Sequence, residues 1–501
     1  MTVDKHALRV KYRQERDKRL RPDGNDQYVP LTGRFASYAD DPYTPATSRA
    51  PKTDHVTVVF IGGGFAGLLT GARLKEAGIS DVRIVEKGGD YGLYDNALLH
   101  TAVTGLSWDD EQDVWIVTTD RGDRFTARFA AMGVGPLHVP KLPGIPGIDL
   151  FRGHAFHTSR WDYAYTGDDP SGAPMDRLAG RRVAIIGTGA TAVQCVPHLA
   201  RACERLYVFQ RTPSSVDVRA NRPTDPEWFA AIATPGWQRR WLENFTAVQT
   251  GGGADVDDLV MDGWTDIARR VRARIAVLPE GERTLDRMLE VYEDSDFEKM
   301  EEIRARVDAI VADAETAGKL KAWYRQLCKR PCFHDEYLQS FNLPGVRLVD
   351  TGGKGVERIT GTGVVAAGRE YPVDCVIYAS GFEVGTGFTR RAGYEVRGRG
   401  GVRLSEYWAD GMRTLHGTHV HGFPNAFIVQ PGQGANLLSN IPHNLTESGQ
   451  TIAGGRVHAG GGAQTGRGRL DGAPAVGAGL TAGRAGLHAG LLQRRGPGPG
   501  T

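Results

Sequence analysis

The sequence has no run of 18 consecutive apolar residues, and its N-terminus, "MTVDKHALRVKYRQERDKRLRPDG", lacks the continuous apolar stretch of an export signal. A membrane-spanning chain and a secreted one are both set aside, and a cytoplasmic protein is expected. Cysteine is scarce: Cys195, Cys203, Cys328, Cys332 and Cys375 form no C-x-x-C pair and fit no zinc framework. No metal site and no disulfide-exchange centre is expected, and a disulfide reductase is disfavoured. Net charge is nearly absent too, since 61 basic residues against 59 acidic ones leave only +2. That balance argues against nucleic acid or a membrane surface as the main partner and leaves a small molecule.

What is present is enough apolar sequence, 40% over 501 residues, for two or three buried cores. Residues 1–54 read as a charged helix followed by Pro- and Gly-punctuated chain, either draped over a later domain or a mobile tail. From Val56, "VTVVFIGGGFAGLLTGARLKEAGISDVRIVEK" gives a strand, a glycine turn, a helix ending near Gly78 and a strand ending at Glu86, which is a βαβ unit. A second copy starts at Arg182 with "RVAIIGTGATAVQCVPHLARACERLYVFQRT". The expected fold class is α/β, with two Rossmann-like dinucleotide-binding domains and a helical insertion over 225–320. The first domain is expected over 55–150 and again from 366 to 453, the second over 151–224 and 321–365. The last 48 residues, from Gly454, hold 16 glycines and no Phe, Trp or Tyr, a linker-like composition.

The first turn is Gly62-Gly63-Gly64-Phe65-Ala66-Gly67. In a G-x-G-x-x-G, Gly62 allows the tight turn, Gly64 lets backbone approach a pyrophosphate, and Gly67 allows close helix-to-strand packing. With 66 glycines in 501 residues, three fixed glycines fall by chance about once in such a chain. Context makes the motif specific: a strand precedes it, a helix follows, and Glu86 ends the next strand, where a carboxylate can accept a ribose hydroxyl. The second turn, Gly187-Thr188-Gly189-Ala190-Thr191-Ala192, is a G-x-G-x-x-A, and its second strand ends on Arg211 instead of an acid. A guanidinium there suits a 2′-phosphate and so NADPH, the alternative being a solvated surface charge. Two such units imply electron transfer between two cofactors, with FAD at the acid-ended site and NADPH at the other.

Between the turns lies "FRGHAFHTSRWD". Phe151, Gly153, His157, Trp161 and Asp162 match F-x-G-x-x-x-H-x-x-x-W-[PD], and on these residues the chain resembles the flavin-dependent Baeyer-Villiger monooxygenases over roughly residues 5–452. "FQRTPSSVD" and the N-terminal extension resemble the subgroup acting on bulky polycyclic or macrocyclic ketones. The resemblance implies oxidation of a ketone to an ester or lactone with O₂ through a C4a-peroxyflavin. In "CKRPCFHDEY" it implies Lys329 at the NADP phosphate and Arg330 at the flavin face, as a fixed cation for the developing oxyanion. The alternative for Arg330 is an ordinary ion-pair partner. For His157 the resemblance favours packing and hydrogen bonding in an interdomain hinge over general-base catalysis.

The sequence also departs from that family. After Glu86 it reads "KGGDYGLYDNALLH", where family members continue with a Gly-Thr-Trp-Tyr-Trp segment, a Tyr-Pro-Gly and an Asp that holds the active-site arginine. A flavin-proximal segment after Gly92 is missing, which makes an uncoupled NADPH oxidase or an inactive remnant the alternatives to a ketone monooxygenase. In the tail, "LHAGLLQRRG" can be encoded so that dropping one base gives Cys-Thr-Pro-Gly-Tyr-Tyr-Asn-Asp-Glu, an ending typical of the family. The tail from about Gly454 therefore reads as frameshifted.

Overall fold

The computed structural model describes residues 4–89, 97–251, 256–429 and 440–460. Helix α1 (Lys5–Asp17) opens the chain, capped by Asp4, whose carboxylate accepts the Ala7 N–H at 3.0 Å. The extension continues through Tyr28–Val29, paired antiparallel with Leu142–Pro143, to the first βαβ unit. That unit is β1 (His55–Ile61), α2 (Phe65–Glu76) and β2 (Val82–Val85). β1 is apolar almost throughout because both its faces are covered: Val59 and Ile61 join one core with Trp115 and Ile428, Val58 and Phe60 another with Leu74 and Ile452. Then come β3 (Val103–Asp109), β4 (Val114–Thr119) and β5 (Arg124–Met132), with β5 antiparallel to β4 and parallel to β1.

The chain next enters a second sheet as its edge strand β6 (His154–His157), followed by β7 (Arg182–Ile186), α3 (Ala190–Ala202) and β8 (Arg205–Gln210). Between Pro226 and Leu320 the described residues are mainly helical, the longest helix among them being α4 (Leu285–Ile310). Strands β9 (Val346–Asp350) and β10 (Cys375–Tyr378) complete the sheet in the order β9-β8-β7-β10-β6, every pair parallel. The connections diverge to either side of the β7/β10 boundary, the place where such sheets hold ligands beyond their carboxyl ends. The chain then returns to the first sheet through β11 (Glu395–Arg397) against β3 and β12 (Ala426–Ile428) against β5. Finally α5 (Ile441–Gly460) lies on α2 so closely that a Cβ on Gly449 would sit 3.2 Å from the Thr70 Cα.

Three expected boundaries are corrected. Leu142 and Ile145 pack in the core under the second sheet with Ala184 and Phe209, so the first domain's first part stops short of 150. Cys375–Tyr378 pairs with β7, so the chain returns to the first domain after Tyr378 and not at 366. A four-residue apolar run carries no label for which sheet it joins. Helix α5 runs to Gly460, past the expected start of the tail at Gly454. Residues 461–501 lie outside the described residues, as do 90–96, where the missing segment was expected to begin.

The extension is fastened at both ends. Arg49 makes a two-pronged pair with Asp123, both contacts 2.6 Å, and that carboxylate also accepts the Lys52 N–H and the Thr119 hydroxyl. At the other end α1 lies along α4, with Lys5 on Asp294, Arg9 on Glu293 and Tyr12 edge-on to Phe297 at 5.6 Å. No helix among the described residues is long and apolar enough to cross a membrane.

Candidate active site

Each βαβ unit ends its first strand on a glycine at positive φ, +107° at Gly62 and +119° at Gly187, where a side chain would be strained. Space forbids one as well. A Cβ on Gly62 would lie 2.6 Å from the Gly133 carbonyl oxygen, and one on Gly187 would lie 2.4 Å from that of Ala379. Gly67 is held by the same logic, its Cβ falling 2.4 Å from the Gly62 oxygen, whereas the second turn accommodates Ala192, fully buried. Gly64 and Gly189 differ from these: nothing lies within 4 Å of a Cβ at either. They face open space in front of α2 and α3, and neither helix has a side-chain cap for its first N–H groups. Such N-termini are anion sites, so the residues present fit a pyrophosphate at each turn. Ala66 is buried at the first turn, beside Phe65, which is 69% exposed.

Glu86 sits directly beneath the first turn, accepting the Gly63 N–H at 2.6 Å and the Gly88 N–H at 2.8 Å. A carboxylate has about four acceptor sites, so two bonds leave capacity for ribose hydroxyls. At the second turn the Thr188 hydroxyl donates to the Thr212 carbonyl at 2.9 Å, and Thr191 lies in the first turn of α3. Arg211 is exposed and donates to Gln27 Oε1 at 3.1 Å. Lys329 converges on the same place, its Nζ donating to Thr212 Oγ1 at 2.8 Å and to the Pro213 carbonyl at 3.2 Å. Burial, then Arg19 and Arg211, pull its pKa down to about 8.

Arg330 is exposed and sits with Cζ 5.2 Å from the centre of the Trp264 ring. Among the described residues no carboxylate pairs with it.

The fingerprint residues are brought together at the edge of the second sheet. His157 is fully buried at the end of β6. Its Nε2 lies 3.0 Å from the Gly381 carbonyl, which can only accept, so Nε2 carries the proton and Nδ1 accepts from Ser159. Burial drives its pKa down to about 4, so both ring nitrogens are committed and the ring is neutral near pH 7. Gly381 also accepts the Lys141 N–H at 2.9 Å, and Glu383 N–H reaches the Val139 carbonyl at 3.0 Å. The outward and return passages between the two sheets thus run side by side, and His157 holds the return one at Gly381. Trp161 donates to Asp168 at 3.1 Å and stands edge-on to Phe156 at 5.2 Å. Asp162 caps Tyr163–Thr166 through the Tyr165 N–H and holds His154 at 2.9 Å. Gly153 is needed because a Cβ would lie 2.6 Å from the Asp374 carbonyl oxygen, and Phe151 packs on the core under the second sheet.

Sequence reasoning missed two groups from the extension, Gln27 on Arg211 and Arg19 near Lys329. The basic run "RDKRLR" was the available signal for Arg19, but Tyr324 and Lys329 lie some three hundred residues away.

No protein-family model matches the chain. It is 50% identical to neopentalenolactone D synthase of Streptomyces avermitilis, covering 90% of this chain and 84% of that one. That alignment spans 509 positions; nine-tenths of 501 residues is about 451, so about 58 positions have no residue here. The solved polycyclic ketone monooxygenase from Thermothelomyces thermophila is 35% identical with a TM-score of 0.81, covering 89% of this chain and 84% of that one. The structure of OTEMO in complex with FAD and NADP shares the fold, at 23% identity and a TM-score of 0.66 over 82% of this chain and 85% of that one. A named Baeyer-Villiger monooxygenase, ATR8 of Stachybotrys chlorohalonatus, is 43% identical over 88% of this chain and 78% of its own length. On this identity, and with the fold and its two glycine turns in place, the chain belongs to the flavin-dependent Baeyer-Villiger monooxygenases.

Proposed function

We propose that the chain binds FAD at the first glycine turn and NADPH at the second, and with O₂ converts bulky cyclic ketones to lactones or esters. The observation that carries this reading is the pair of open helix N-termini at Gly64 and Gly189, each beside a glycine that no other residue could replace. When bound, FAD supplies the redox chemistry, taking two electrons from NADPH and activating O₂ for attack on the ketone carbonyl. The protein's part is to bind and orient. Glu86 holds the adenosine ribose of FAD, Arg211 and Lys329 the 2′-phosphate of NADPH, and Arg330 offers positive charge to the oxyanion that forms at the substrate. His157, neutral and doubly bonded, moves no proton; it fixes the two passages that set one nucleotide against the other.

A second reading is favoured by Arg330. Its guanidinium lies over the Trp264 ring, and no carboxylate among the described residues orients it towards a substrate. The roughly 58 positions without a counterpart match in size a loss of several tens of residues after Gly92. In this reading the chain consumes NADPH and releases hydrogen peroxide. One experiment separates the two: purify the chain, record its flavin spectrum, and follow NADPH, peroxide and lactone with a bulky cyclic ketone. Yellow protein yielding lactone supports the monooxygenase, and NADPH loss matched by peroxide supports the oxidase. Colourless protein that takes up no FAD sinks both.

A further inference from the structure

Beyond the sheet, the N-terminal extension contributes to the second nucleotide site. Residues 18–27 run along the carboxyl edge of the second sheet. At one end Lys18 is seated on the loop after β9, where a Cβ on Gly353 would lie 2.8 Å from the Lys18 Cβ. At the other, Gln27 accepts from Arg211 through Oε1 and from the Gly144 N–H through its carbonyl, at 3.1 and 2.7 Å. Between them Arg19 is half-buried, its Cζ 5.3 Å from the centre of the Tyr324 ring. Lys329 Nζ lies 4.7 Å from the centre of that same ring. Tyr324 is itself fixed, buried to 4% exposure with its hydroxyl accepting the Ser215 N–H at 2.7 Å.

Three cations, Arg19, Arg211 and Lys329, are therefore gathered around one ring and one strand end. Among the described residues none of the three pairs with a carboxylate. Asp23, the acid that feels Arg211, is already held by Arg21. Arg19 and Arg211 both push the Lys329 pKa down, which is the mark of mutual repulsion. Like charges held together at a cost, with no acid to relieve them, fit a ligand carrying two negative charges. Arg211 sits at the strand end that discriminates the two nicotinamide cofactors, and a phosphomonoester is the dianion they differ by.

We infer that residues 18–27 form the outer wall of the 2′-phosphate pocket and that Arg19 is a specificity-determining contact for that phosphate. This rests on the reading of the second turn as the NADPH site. Binding of adenosine 2′,5′-bisphosphate and of adenosine 5′-monophosphate to the full chain, measured by calorimetry, tests both without requiring turnover. Arg19→Ala is expected to weaken the bisphosphate about tenfold, the loss of one charge-assisted contact, and to leave the monophosphate unchanged. Arg19→Gln, which keeps the stem over Tyr324, should do the same, and Arg19→Lys should restore part of the affinity. If Arg211→Ala weakens the bisphosphate and the Arg19 variants do not, the extension has no part in the pocket and the inference fails while the NADPH site stands. If neither residue matters, the second turn itself has been misread. Equal weakening of both nucleotides by Arg19→Gln would make Arg19 a purely structural residue and overturn the proposal.

Discussion

The two βαβ units are built on one plan and differ in what surrounds them. Both place their first glycine against the carbonyl that begins a passage to the other sheet, Gly62 against Gly133 and Gly187 against Ala379. Both leave their second glycine open to solvent. Yet the first turn needs Gly67 where the second takes Ala192, and the first strand pair ends on an acid where the second ends on a cation. The surroundings differ more. The extension is bolted to the first half by a buried ion pair, Arg49–Asp123, with 0% exposure at the carboxylate, and meets the helical insertion through half-exposed ones such as Lys5–Asp294. Local backbone geometry is thus shared, while charge and burial distinguish the halves.

The comparison can be broken at several points. The largest effect is expected from Asp123→Ala, which strands Arg49 and removes two further hydrogen bonds; breaking a buried pair costs about 3–5 kcal/mol. Arg49 first of all holds this carboxyl well below the usual range. Its folded pKa lies below the unfolded one, so the stabilisation is complete above about pH 4 and lost as pH falls further. Urea unfolding should show the variant's deficit against the parent at full size at pH 7 and reduced at pH 3. An equal loss at both would show that the pair is not what fastens the extension.

Next, Gly67→Ala forces a methyl to within 2.4 Å of the Gly62 oxygen, and such overpacking costs about 1–3 kcal/mol. The purified variant should come off the column with little or no flavin absorbance. The reciprocal Ala192→Gly should cost only about 1 kcal/mol and leave NADPH kinetics alone. If the two swaps behaved alike, the turns would be equivalent after all.

Lys329 sharpens the charge side of the comparison. With burial first, then Arg19 and Arg211, lowering its pKa to about 8, the ammonium is lost as pH rises through 8. The KM for NADPH should climb about tenfold between pH 7 and 9 and stay flat in Lys329→Arg. A flat profile in the parent would detach Lys329 from the phosphate.

His157→Gln is expected to act more mildly, at about 1–2 kcal/mol. Because the folded pKa of about 4 lies below the ordinary value of 6.5, the parent loses stability as pH falls from 6.5 towards 4. The variant should show a shallower slope over that window. An unchanged slope would mean that other groups set it.

Both glycine turns could be read in the sequence because the positive φ at Gly62 and Gly187 belongs to the turn itself and the motif's glycines are spaced within six residues; the carbonyls that also crowd them, of Gly133 and Ala379, left no mark there. The fingerprint was legible because its residues keep a fixed spacing within twelve positions, although Gly153 and His157 meet Asp374 and Gly381 more than two hundred residues on. Less was legible where partners are distant. The run "DCVIY" fits either sheet by pattern, and only its pairing with Val183–Ile186 assigns it to the second. In sequence Arg19 is one more charge in a basic run, and the ring it lies over, Tyr324, comes some three hundred residues later. Arg330 was named by its neighbours in sequence, but its orientation depends on groups elsewhere in the fold.

The paired passages at Pro140 and Phe382 bring a kinematic consequence. Two antiparallel segments joined by backbone bonds at Lys141–Gly381 and Glu383–Val139 mark out a line through the molecule. Sliding one half along the other, or pulling them apart, would tear those bonds. Turning about the line strains them least. A rotation about it would change the distance between the two glycine turns, and His157, bonded to Gly381, lies beside that line.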